Sequence, residues 1–327
     1  MKTYWLILFI AVVALSCGSA IEKEIPVEVG LVPWARNLDA ALKKSSETGR
    51  PVFVLFQEVP GCIDCQNFGQ NVLSHPLLVE AIANLFLPIL VYNNSDGPDK
   101  ALLDRFKEPG SNFQVVRFLN ARGLDIIPRR DRVWSLGGIA ARMVETLKVS
   151  KRPIPKYLKV LAIENNKKNH AVCAFGVPCF WAGEMELGKI DGVVSTEAGW
   201  IENNEVTKVV YDRTKITLPV LARKARTANL AIKIYTPENE AADLDDIPTG
   251  RLNKRYRKAD ESDQKKQFKN IKALQGFSGL TEMQKTKINA FAPVSPSKAL
   301  TWLSPSQQRL FIEARQYAPT QANELHR

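Results

Sequence analysis

Cysteine is scarce in this chain: five residues in 327, and none follows Cys179. Histidine is scarcer, limited to His75, His170 and His326, so a Cys/His zinc site has few candidate ligands. The longest apolar run, Trp5 to Leu15, is too short to span a bilayer comfortably. Net charge is +11 with a pI near 9.4, yet no basic strand interleaved with aromatics appears, which speaks against a nucleic-acid partner. The densest basic cluster, Arg251, Lys254, Arg255, Arg257 and Lys258, follows an acidic patch of Asp243, Asp245 and Asp246. Both read as solvated faces.

What is present points to a folded, exported protein. With 45% hydrophobic and 24% charged residues, the composition is globular, and the length allows two domains. Lys2, the apolar run and the small residues after it have the three-part form of an export signal over residues 1–20. Two endings are open: cleavage after Gly18-Ser19-Ala20, or a lipobox, Ala14-Leu15-Ser16-Cys17, which would anchor the chain to a membrane through lipidated Cys17. Either makes the protein periplasmic or secreted and removes Cys17 from the thiol count. Cys62, Cys65, Cys173 and Cys179 remain. Export permits disulfides, but Cys62 and Cys65 can close only a very small loop, which constrains an unfolded chain little. A close pair of this kind reads as a redox switch or half a metal site.

The first domain is expected over residues 21–152. Leu38, Ala41 and Leu42 recur at helical spacing, Gly49-Arg50-Pro51 breaks the helix, and Val52 to Phe56 forms a continuous apolar run suited to a strand buried on both faces. A helical pattern resumes at Gln66, just past Cys62-Ile63-Asp64-Cys65. Further on come a helix over Leu77 to Leu85, strands at Pro88 to Tyr92 and Gln114 to Leu119, a short last strand at Ile126-Ile127-Pro128, and a helix over Leu136 to Leu147. This order, with C-x-x-C between strand and helix, resembles the thioredoxin fold. A thiol at a helix N-terminus meets unsatisfied N–H groups that favour its thiolate. The resemblance makes Cys62 the nucleophile and Cys65 the resolving thiol. Val59-Pro60-Gly61-Cys62 is further similar to a bacterial group of thioredoxin-like selenoproteins, with Cys62 where selenocysteine would stand. One departure is the place of the usual cis-proline ahead of the facing strand, which falls on Gln114 or a neighbour.

Arg152-Pro153-Ile154-Pro155 marks the expected boundary, and a second domain is expected over 156–240. A strand at Ala171 to Gly176 leads into Cys179-Phe180-Trp181, then Glu184, Gly192-Val193, Ser195-Thr196 and Ala198-Gly199-Trp200, with a second strand from Glu205 to Asp212. These offsets resemble the A-type peptide methionine sulfoxide reductases. The resemblance implies Cys179 as nucleophile, Glu205 as acid, and Phe180 and Trp181 as the cradle of the substrate methyl, while Glu184 and Glu197 read as structural or exposed. The match is incomplete. Only four residues separate Trp200 from Glu205, where the family carries a longer loop with a binding tyrosine. The family's later Asp-x-Gly-x-Gln-Tyr-Arg stretch and its C-terminal resolving cysteines are also missing, and Cys173 reads as buried rather than resolving.

The remainder, 241–327, is expected to be a helical tail, with patterns around Gln264 to Leu274 and Met283 to Phe291. The whole therefore reads as α/β and α+β: an exported thiol oxidoreductase acting on oxidised methionine-containing peptides or proteins. It needs an outside thiol donor and no cofactor, with Cys62 and Cys65 passing electrons to Cys179. Two other readings stay open. The second domain could bind partners without catalysis, or Cys62 and Cys65 could serve a metal-handling protein.

Overall fold

The computed structural model describes residues 25–110, 114–237, 244, 247–252, 255–274, 277 and 279–317. The export segment with Cys17, the patch Asp243, Asp245 and Asp246, Lys254 and His326 lie outside the described residues. No helix among the described residues is long and apolar enough to cross a membrane.

The first unit runs α1 (Leu38–Thr48), β1 (Val52–Gln57), α2 (Ile63–Asn71), α3 (Pro76–Leu85), β2 (Leu87–Tyr92), α4 (Pro98–Phe106), β3 (Val115–Leu119) and α5 (Leu136–Val149). Asn37 caps α1 by accepting the Ala40 N–H at 2.9 Å, and Gly49, at φ 67°, ends it. The sheet order is β2-β1-β3, with β1 parallel to β2 and antiparallel to β3. Every residue of β1 is buried because helices cover both faces. Phe53 and Leu55 pack with Phe68, Phe86, Phe118 and Ile139 on one side. Val52, Val54 and Phe56 pack with Leu38, Ala41 and Leu103 on the other.

The strand expected at Ile126-Ile127-Pro128 does not form. Only a single bridge, Leu119 to Asp125, and one hydrogen bond from Ile126 N to Phe118 O continue past β3. Pro128 has no N–H to extend a ladder, and its carbonyl accepts the Arg142 guanidinium instead.

The following helix, α6 (Lys156–Glu164), faces two ways. Tyr157, Leu158 and Leu161 enter the first core, whereas Val160 meets Val194 and Met283 of the later chain. Then come β4 (His170–Gly176), α7 (Phe180–Lys189), β5 (Val193–Ile201), β6 (Asn204–Asp212), α8 (Leu218–Thr227), β7 (Lys233–Thr236), β8 (Thr249–Arg251) and β9 (Tyr256–Lys258). They are followed by α9 (Lys266–Lys269), α10 (Glu282–Phe291), α11 (Pro296–Leu300) and α12 (Pro305–Tyr317). The second sheet is mixed, in the order β8-β7-β4-β6-β5-β9, and only β7 and β8 are parallel. Cys173, Phe175, Val209, Phe180, Leu187 and Leu221 share its core. Cys173 is fully buried.

The expected helical tail is a correction. It supplies both edge strands of this sheet, β8 and β9, and the helix expected over Gln264 to Leu274 is broken into the single turn of α9 and a 3-10 turn at Lys272–Leu274. Lys265, at φ 46°, interrupts that helix from the start. The segment also ties the two units together, since Glu80 accepts the Ser306 N–H at 2.7 Å and Glu164 accepts the Glu282 N–H at 3.1 Å.

Candidate active sites

The first thiol pair sits where β1 gives way to α2. Cys62 is the N-cap of α2 and is exposed; Cys65, one turn in, is fully buried. Their sulfurs are 3.7 Å apart, beyond the ~2.05 Å of a disulfide, so this is the dithiol state. Burial pushes the Cys65 thiol up to about 12, with the Cys62 thiol and the Glu58 carboxylate adding to the effect. Glu58 Oε2 lies 3.9 Å from Cys65 Sγ.

The turn between strand and helix is held from three directions. Asn94 accepts the Val59 N–H at 3.1 Å and donates to Pro60 O at 3.2 Å. Gln57 Nε2 donates to the carbonyls of Glu28 (2.8 Å) and Cys65 (3.2 Å). Glu28, buried, accepts the Gly61 N–H at 2.9 Å. Its segment reaches the site because α2 carries a glycine there: a Cβ on Gly69 would fall 1.9 Å from Val27 O. Gln114 is the residue before β3, buried and at φ 43°, and neither side-chain polar atom finds a partner among the described residues.

The second thiol follows the same plan. β4 ends at Gly176, and Cys179 becomes the half-buried N-cap of α7. Glu205, at the start of β6, accepts the Phe180 N–H at 2.7 Å and returns its own carbonyl to Val177 N at 3.0 Å. Its carboxylate thus meets the first helical N–H, next to the Cys179 residue. α7 lies tight on β6 because Gly183 has no side chain; a Cβ there would fall 2.1 Å from Thr207 Oγ1. Phe180 is buried, with Trp181 and Trp200 set edge-on to it at 5.8 and 5.5 Å. Trp181 remains 38% exposed and carries Lys266 Nζ at 5.2 Å from its ring centre.

Two further acids of this unit, expected to be structural or exposed, have polar contacts. Glu184 is fully buried, accepts the Lys265 N–H at 2.7 Å, and burial pushes it up to about 7. Glu197 pairs with Lys208 and accepts the Tyr256 hydroxyl at 2.6 Å.

The two-residue turn Glu202-Asn203 joins β5 to β6 in place of a longer loop. Beside it opens a cleft of about 540 Å³ that includes Pro178, Trp200, Glu205, Lys233, Tyr235 and Arg251 in its lining. The sequence reading assigned none of the last three to a site. The Lys233-x-Tyr235 alternation on a short strand was the signal that could have found two of them, whereas Arg251 stands in the basic cluster that reads as a solvated face.

The structure therefore assembles two groups, Glu58 with Cys62 and Cys65, and Glu205 with Cys179, Phe180 and Trp181. Among the described residues, no hydrogen bond or ring contact joins α2 to α7, and the helices belong to different cores.

Comparison with known proteins adds one assignment. Residues 33–121 match a family model described as thioredoxin-like. A solved structure titled DsbH oxidoreductase is similar over 41% of this chain and 94% of that chain, at 18% identity and a TM-score of 0.31. No curated protein matches the chain in sequence. The chain is thus a mixed α/β protein whose N-terminal unit is a thioredoxin-like domain, with Cys62 and Cys65 at the head of α2.

Proposed function

We propose that the protein is an exported thiol–disulfide oxidoreductase. The observation that carries this reading is the exposed Cys62 at a helix N-terminus, 3.7 Å from the buried Cys65. Cys62 attacks a partner disulfide, forming a mixed disulfide and releasing one partner thiol. Cys65 then attacks the Cys62 sulfur, releasing the second partner thiol and leaving the Cys62–Cys65 disulfide. Because burial holds the Cys65 proton tightly, it needs an acceptor, and Glu58 at 3.9 Å is placed to be one. Reduction of a protein disulfide by the purified chain tests this. Retained activity in Cys62→Ala would overturn it.

The second unit, in the same proposal, reduces peptide methionine sulfoxide. The contact of Glu205 with the Phe180 N–H beside Cys179 supports this reading, with Phe180, Trp181 and Trp200 offering an aromatic seat for an S-methyl group. Cys179 attacks the sulfoxide sulfur while Glu205 protonates its oxygen. The oxygen passes to Cys179 as a sulfenic acid and the thioether leaves. No cysteine follows Cys179, so an outside thiol must expel water from that sulfenic acid. Cys62 supplies it, and Cys65 then releases the mixed disulfide.

Oxidant-treated Cys65→Ser should trap a Cys62–Cys179 disulfide detectable by mass spectrometry, and its absence refutes the relay. Sulfoxide reduction with dithiothreitol reads the second unit directly. A Cys179→Ala variant of unchanged activity would leave it a binding domain.

A further inference from the structure

We propose that Glu58, Cys62 and Cys65 form a three-ligand site for a borderline-soft divalent cation of the zinc type, available only while the thiol pair is reduced. One ligand atom from each residue lies within 4.8 Å of the others. The sulfur separation is itself informative. Two thiolates on a tetrahedral zinc, each at ~2.3 Å, stand about 3.8 Å apart, and here they stand 3.7 Å apart with no rearrangement. A carboxylate oxygen at ~2.0 Å from the same ion would lie about 3.5 Å from either sulfur. Glu58 Oε2 is 3.9 Å from Cys65 Sγ, and the three ligand atoms lie within 4.8 Å of one another, so binding draws the carboxylate inward.

The donor set also selects the ion. Two thiolates favour zinc-like cations over calcium or magnesium, which take all-oxygen shells. Three anionic ligands outweigh a divalent charge, so a cation relieves repulsion between Glu58 and the sulfurs. The fourth position stays open, because Cys62 is exposed. Open coordination of this kind admits water or a ligand from a partner.

Binding forms two metal–sulfur bonds and one metal–oxygen bond and releases the two thiol protons; no electrons move. Because binding releases protons, affinity rises with pH. A partner disulfide reverses the process. It takes two electrons from the sulfurs, the Cys62–Cys65 bond forms, both metal–sulfur bonds break and the cation leaves. Metal and disulfide exchange therefore compete for one pair of sulfurs.

Cobalt(II) is the probe, added to the full chain reduced with a phosphine and then displaced by zinc(II). One cobalt per chain is expected, with thiolate-to-cobalt charge-transfer absorption. Zinc should protect two thiols from a disulfide thiol reagent. Oxidised chain should show neither signal, and Glu58→Gln should keep the absorption while binding at least ~10-fold more weakly. Persistence of the absorption in a Cys62→Ser/Cys65→Ser double variant, equal affinity in Glu58→Gln, or unprotected thiols in the wild-type chain would each overturn the assignment. The thiol-protection measurement needs no variant, so a folding defect in a mutant does not shelter the proposal.

Discussion

Replacing Lys287 tests how the C-terminal segment is built into the second unit. Its side chain is 1% exposed, and Nζ donates to the Gly188 and Ile190 carbonyls at 2.8 Å each. These carbonyls lie at the end of α7, the helix that Cys179 opens. Burial pushes the ammonium down from 10.5 to about 7, with Asp191 opposing and Lys156 adding to the effect. Between those two values the unfolded chain binds this proton more tightly than the folded one, so stability rises with pH through the window. Below about pH 7 both states are charged and the burial cost is fully present; above the unfolded value both are neutral and it is gone. The depression is worth about 5 kcal/mol at ~1.4 kcal/mol per pH unit. Roughly 3 kcal/mol of that emerges between about pH 7 and about pH 9.5.

Lys287→Met keeps the length of the side chain and removes its titration. The assay is urea unfolding of both proteins at the two pH values, under a thiol reductant. Taking the difference between wild type and variant cancels the titration of every other group. Wild type should gain about 3 kcal/mol on the variant as pH rises. A difference that stays constant within about 0.5 kcal/mol would refute the reasoning, since an extrapolated unfolding energy resolves little less than that.

Three other outcomes follow from the sites. Cys62→Ser should abolish disulfide reduction and leave sulfoxide reduction with dithiothreitol intact, which a paired assay of one preparation reads. Glu205→Gln should lower sulfoxide turnover by about 100-fold or more, the usual worth of a positioned proton donor, with peptide binding retained by isothermal titration. Gly69→Ala should destabilise the first unit by about 1–3 kcal/mol in urea, because its Cβ must displace the Val27–Glu28 backbone; the shift would also loosen the Glu28 contact to Gly61.

The sequence was legible where one pattern served one environment. Val52 to Phe56 read as a doubly covered strand because every position of β1 is apolar and every one is buried. The thiol positions were legible for a similar reason: each stands at a strand-to-helix junction with local punctuation. What was hidden is non-local or short. Glu28 reaches Gly61 from 33 residues away, and only the missing side chain of Gly69 lets it approach. Strands β8 and β9 are three residues each, at sheet edges and largely exposed, so neither carries an apolar alternation. Nothing in Gln284-Lys285-Thr286-Lys287 marks Lys287 for burial. Its burial shows only once α7 presents two carbonyls to receive it.

The two thiol sites use one local device and differ in what completes it. Each places a cysteine as the N-cap of a helix, where the thiol makes no capping hydrogen bond and stays available. Each also has a glutamate from an adjoining strand or turn, Glu58 at the end of β1 and Glu205 at the head of β6. Cys62 has a second sulfur at 3.7 Å, so it can finish an exchange within its own turn of helix. Cys179 has none, because Cys173 is locked in the core. A chemistry that oxidises Cys179 must therefore borrow a thiol on every turnover, whereas one that only binds at Cys179 need not. In Cys62→Ser, which lacks the relay thiol, omitting the reductant separates the two: a reducing site stops after about one equivalent of sulfoxide per Cys179 and leaves a sulfenic acid that a dimedone-type probe captures. A binding site consumes none and leaves that thiol unlabelled.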